Sequence, residues 1–146
     1  MPKRLTPNQV VAYNLRRARG LHGWTQATAA ERLEPYLGER WSRVVYSAAE
    51  RSIAGERIRR FSADEIVAFA AAFELPVAFF FEPPKDAEQV GPEKATRPLS
   101  SEELGELATG DVATRVGELR EAYWRQIEAM GGRVIFEGEQ KGGERK

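Results

Sequence analysis

The 146-residue chain has no cysteine, which excludes a disulfide framework and any thiolate metal site and fits a reducing, cytoplasmic compartment. Its single histidine, His22, lacks the partner set that metal or nucleophile chemistry needs, so it reads as a structural or surface residue. No apolar run approaches the ~20 residues needed to cross a bilayer. The opening Met1-Pro-Lys-Arg-Leu-Thr-Pro7 lacks the apolar stretch of a signal peptide. A soluble protein with no membrane partner is the expectation. There is no glycine-rich phosphate cradle and no nucleophile elbow. The carboxylate pairs Asp64 with Glu65 and Glu102 with Glu103 fall at helix starts, where they complement the dipole. An enzyme is therefore not expected, and neither a cofactor nor a metal.

Charge is present but uneven. The formal net charge is zero, yet residues 1–60 carry 12 basic and 5 acidic side chains, a net of +7 that the remainder balances. A basic front half suits a polyanion, while an acidic rear half is better placed away from it. A solvated surface with uneven charges reads equally well on this ground alone.

The helix signals are local and strong. Thr6-Pro-Asn-Gln9 is a capping box with proline at the first helical position, and it opens a first helix over 7–21 with Val11, Leu15 and Ala18 on one face. Thr25 caps a second helix over 26–33, in which Ala29 and Ala30 permit close approach of a neighbour. Pro35 and Gly38 are expected to break it, leaving a long connection from Glu34 to Trp41. Ser42 caps a third helix over 43–51. Tyr46 and Ala49 face inward there, and Arg43, Val44, Ser47 and Ala48 face outward. Ser62-Ala-Asp-Glu65 is a second capping box and starts an amphipathic fourth helix with Ile66, Phe69, Ala70 and Phe73. A short fifth helix follows Leu75-Pro-Val77 and runs through Phe81. Of its three consecutive rings, Phe79 to Phe81, not all can face inward.

Helices two and three, sharing one small core, form a helix-turn-helix signal, and outward residues at the start of the second member are those that reach base edges. Leu15-Arg-Arg-Ala-Arg19, Trp24-Thr-Gln26, Ser42 to Arg51 and Phe73-Glu-Leu-Pro-Val77 together resemble the Cro/C1-type, or XRE-type, helix-turn-helix family over about residues 8–81. The resemblance implies an all-α, five-helix, lambda-repressor-like DNA-binding domain. It places Arg43, Val44, Ser47 and Ala48 in the major groove and Gln26 against a phosphate. Arg51, Arg57, Arg59 and Arg60 become candidates for further phosphates, and Arg19 with Glu50 a structural ion pair. Two features depart from the family: the long connection before the third helix, and Ser52 where a glycine usually follows the closing Glu-Arg.

In the second half, Glu82 to Pro98 reads as a polar linker. Ser101 to Ala108 then makes a short helix, and Asp111 caps a longer one to about Met130. Val112, Val116, Leu119, Tyr123, Gln126 and Met130 alternate four and three apart, with Ile127 beside Gln126, a coiled-coil-like stripe of under three heptads that Gly117 and its short length make marginal alone. The expected layout is a DNA-binding domain over 1–81, a linker over 82–98, a helical dimerisation or partner unit over 99–136 with a short strand at Val134-Ile-Phe136, and a disordered tail over 137–146. Function is expected to be that of a sequence-specific transcriptional regulator, a repressor, binding double-stranded DNA as a homodimer in the nucleoid. The rival reading is an antitoxin-like or adaptor protein whose C-terminal helices hold another protein.

Overall fold

The computed structural model describes residues 4–55 and 57–132. The chain forms two compact units, Met1–Thr109 and Gly110–Lys146. It is mostly helical, as expected, with a small three-stranded sheet that an all-α reading lacks.

In the first unit, α1 (Pro7–His22) starts on the capping box. Thr6 Oγ1 accepts from the Gln9 N–H at 3.2 Å, and Gln9 Oε1 accepts from the Thr6 N–H at 2.9 Å, so two otherwise orphaned donors are satisfied. Gly23, left-handed at φ 65°, ends the helix. The same end of α1 anchors a distant loop. Gln9 Nε2 donates to the Ile53 carbonyl at 2.9 Å, and Asn8 Oδ1 accepts from the Phe61 N–H at 2.9 Å.

Helix α2 (Gln26–Leu37) runs a turn beyond its expected end, with Pro35 inside it. Proline here removes one bond to the Glu31 carbonyl, but both residues are on the exposed side, where water can take up the lost partner. Gly38, at φ 74°, terminates the helix instead. The apparent surplus of connecting chain is therefore helix, and only residues 38–42 link α2 to α3 (Arg43–Arg51). Ser42 Oγ caps α3 by accepting from the Val45 N–H at 3.2 Å. Ser52 stays right-handed at φ −64°, and its hydroxyl donates to the Ala49 carbonyl at 2.8 Å.

Helix α4 (Ala63–Phe73) follows the Ser62–Glu65 capping box and closes on Glu74 in the left-handed region. The expected fifth helix is a 3₁₀ turn, Val77–Phe81; five residues behind Pro76 are too few to close a stable run of α-type bonds. Of its rings, Phe80 is fully buried, while Phe79 and Phe81 pack partly buried at the core's edge. That core joins Leu15 and Ala18 of α1, Ala29, Ala30 and Leu33 of α2, Trp41, Tyr46 and Ala49 around α3, and Phe69 and Phe73 of α4. Trp41 and Phe61 both meet Phe69 edge-on, with centroids 5.8 and 5.7 Å away.

The expected linker over 82–98 is a packed part of this unit. Strand β1 (Arg4–Leu5) pairs parallel with β2 (Gln89–Val90), which pairs antiparallel with β3 (Leu99–Ser100). Leu5, Val10, Ala87 and Val90 form a second core under Leu104 of α5 (Ser101–Thr109). The Arg4 guanidinium donates to the carbonyls of Pro92 and Ala95, and Asn14 Nδ2 donates to the Glu82 carbonyl at 2.9 Å. The expected boundaries at 81 and 98 consequently give way to one after Thr109, and α5 belongs to the first unit.

The second unit contributes α6 (Val112–Ala129), capped by Asp111, whose carboxylate accepts from the Ala113 N–H at 3.0 Å and the Thr114 hydroxyl at 2.7 Å. Those bonds, the Thr114 hydroxyl first, hold the Asp111 carboxyl below the usual carboxylate range. The expected strand over 134–136 and tail over 137–146 lie outside the described residues. No described helix is long and apolar enough to cross a membrane.

Candidate nucleic-acid interface

The geometry of α3 is set by what it buries. Tyr46 and Ala49 are fully enclosed, and the Tyr46 hydroxyl donates to the Leu15 carbonyl at 3.1 Å. Burial first, then the neighbouring Glu50 carboxylate, pushes the Tyr46 phenol far up. Glu50 is 4% exposed and meets Arg19, 23% exposed, in a two-pronged pair with Nε–Oε1 at 2.7 Å and Nη2–Oε2 at 3.2 Å. Arg19 Nη1 also donates to the Trp24 carbonyl at 3.1 Å. Gln26 Nε2 completes the knot by donating to Glu50 Oε2 at 3.2 Å. Three helices are thereby tied at one point. The hydrogen bond that Arg19 donates to Glu50 outweighs desolvation and raises the Arg19 pKa. Removing one partner of such a shielded pair costs about 3–5 kcal/mol.

With that side fixed, the opposite face of α3 is open. Arg43, Val44 and Ala48 are exposed and Ser47 is half-buried. Val44 is 69% exposed, and Val45, which the sequence reading did not single out, is 37% exposed beside it. The four expected base-reading residues thus share the solvent face of one capped helix.

The expected phosphate contacts divide. The Arg51 guanidinium is exposed and makes a single long contact to the Ser47 carbonyl, 3.4 Å. Arg57 and Arg60 are exposed and line one cleft with Thr6 and Asn8, where Lys94 joins them. Lys94 escaped the sequence reading because its segment looked like a linker. Arg59 does something else. It pairs with Glu65 at 3.0 Å and lies over the rings of Trp41 and Phe61, 4.7 and 5.6 Å from their centroids. A guanidinium stacked on two rings and bonded to a carboxylate is held by the fold, unlike the exposed Arg57 and Arg60. Gln26 also has its amide nitrogen engaged, by Glu50.

A half-open groove of about 930 Å³ runs between α1 and the turn after α3. Arg16, Gln26 and Arg51 line it over Tyr13 and Ile53. The three-residue spacing of Tyr13, Arg16 and Arg19 along one helix was the available signal for it.

On α6, Val112, Val116, Leu119, Tyr123 and Met130 are exposed along the predicted stripe, and Ile127 is half-buried. His22 is structural: its ring stacks on Trp24 at 4.3 Å, and Nε2 lies 2.7 Å from the Phe73 carbonyl.

Comparison with protein-family models, curated proteins and solved structures returns no match to this chain.

Proposed function

We propose that this protein is a sequence-specific DNA-binding regulator, a repressor, that engages a two-fold operator as a homodimer with α3 in the major groove. The observation that carries the reading is the solvent face of α3: Arg43, Val44, Ser47 and Ala48 stand together on a helix whose other side is fixed by the Arg19–Glu50–Gln26 knot. Arg43 has the donors for a guanine O6 and N7, and Val44 and Ala48 suit a thymine methyl. Arg51, Arg57, Arg60 and Lys94 supply phosphate contacts, which position the helix without reading sequence. A single strong base reader gives modest discrimination, so two copies are needed, with half-sites about 34 Å apart. The α6 stripe of Val112, Val116, Leu119, Tyr123 and Ile127 is the self-association surface in this reading.

The experiment is selection of bound duplexes from a random library, with the particle mass in solution measured alongside. Recovery of a palindromic site by a dimer is the expected result. Arg43→Ala should then cost about 1–3 kcal/mol of discrimination at one base pair and leave the rest of the site unchanged. Equal binding of all sequences by wild type and variant alike would remove α3 as the reader. The rival reading, an antitoxin-like or adaptor subunit, draws on the exposed apolar stripe of α6. A monomer that binds no duplex, with α6 holding an unrelated protein, would favour it.

A further inference from the structure

We infer that the groove between α1 and the turn after α3 is a binding site for a small organic anion with an apolar body, and that its occupant competes with DNA. Its volume of about 930 Å³ lies in the range of small-ligand sites, which pair an apolar lining with a few placed polar groups. The floor here is Tyr13 and Ile53, with Ala54 at its exposed edge. Tyr13 and Ile53 are half-buried, and the Tyr13 hydroxyl has no hydrogen-bond partner among the described residues.

The charges are what select an anion. Four arginines line the groove, and two are neutralised: Arg19 by Glu50 at 2.7 Å and Arg17 by Glu82 at 2.8 Å. Arg16 and Arg51 have no carboxylate partner among the described residues and are exposed at the rim. Two guanidiniums without a carboxylate partner among the described residues, beside an apolar lining, fit an aromatic or branched aliphatic carboxylate or sulfonate. A phosphodiester backbone, hydrated and without an apolar body, would leave that floor unused. Arg51 also belongs to the proposed DNA-facing set, so a ligand seated here meets a donor that a phosphate would use. The existence of the site does not depend on the regulator reading; the competition does rest on it.

The test uses the full chain and anilinonaphthalene sulfonate, an aromatic sulfonate whose fluorescence rises on leaving water. Saturable, one-to-one binding is expected. Arg16→Glu combined with Arg51→Glu should weaken it by about tenfold or more, the scale of a lost charge-assisted hydrogen bond, while circular dichroism stays native. Ile53→Asp should weaken it through the floor, and Leu119→Gln on α6 should not. Absence of saturable binding, binding that ignores the charge reversal, or binding abolished by Leu119→Gln would each overturn the site. In wild type the probe should displace a selected duplex. Probe binding at the groove with a bound duplex undisturbed would overturn the competition, and probe binding by a chain that binds no duplex would keep the site and sink the regulator reading. A loss of salt dependence in DNA binding by Arg16→Ala, without any probe binding, would make the groove a phosphate track and not a ligand site.

Discussion

At the scale of single residues, one neighbourhood of polar groups does most of the fixing, and Tyr46 is its most testable member. Its phenol is held protonated by burial and by the adjacent Glu50 carboxylate. The folded pKa is raised, so the stabilisation is intact below the unfolded value of about 10 and is lost as pH rises past it, because only the unfolded chain can then release the proton. Denaturant midpoints should therefore fall steeply above about pH 10, and Tyr46→Phe should flatten that fall while costing about 1 kcal/mol at neutral pH for the bond to Leu15. A wild-type midpoint that stays level through this window would contradict the burial assigned to the ring. The residue scale is also where sequence reading worked best for α3, since caps and inward positions are local facts. Ser42, Tyr46, Ala49 and the outward quartet sit as their spacing dictates. It said least about the surroundings of Arg59. Charge and loop position say phosphate, and only the approach of Trp41 and Phe61, distant or differently placed in the chain, reveals a stacked, internally paired cation.

At the scale of elements, the instructive error is Pro35. Proline is read as a breaker, yet α2 continues through it because the bond it forfeits faces solvent and because Leu33 and Leu37 still pack on the core. The proline is tolerated, not needed. Pro35→Ala should restore the bond to Glu31 and raise stability by about 1–3 kcal/mol, read as a higher thermal midpoint. A lower midpoint would mean that the ring contributes packing that the helix requires. The short connection over 38–42 follows from the same observation. The two-residue strands were illegible for a different reason. Elements shorter than one period carry no periodic signal, so β2 vanished into what looked like a polar linker and β1 and β3 went unmarked beside it.

At the scale of the molecule, those invisible strands change what counts as a domain. Leu5, Val10, Ala87, Val90 and Leu104 form a core that no single stretch of chain contains. A chain ending at residue 109 should retain the helical signal and cooperative unfolding of the first unit. One ending at residue 81 exposes Leu5 and Val10 and should lose several kcal/mol, at about 1.5–3 kcal/mol for each large apolar side chain returned to water. Equal stability of the two truncations would show the sheet to be decoration. The second unit, by contrast, holds in α6 a helix that the heptad spacing placed almost to the residue, because a long amphipathic helix is the element that sequence reveals most plainly.

The parallel pairing of β1 with β2 has a consequence in time. During synthesis Leu5 emerges long before Val90, and helices α1 to α4 can collapse while the strand that covers Leu5 is still inside the ribosome. The two cores are thus completed in sequence, the helical one first. Pairing across so long a stretch of chain also raises the mean separation of contacts and slows the final step. Until that step, Leu5 and Val10 lack the cover that Ala87 and Val90 give them in the folded chain.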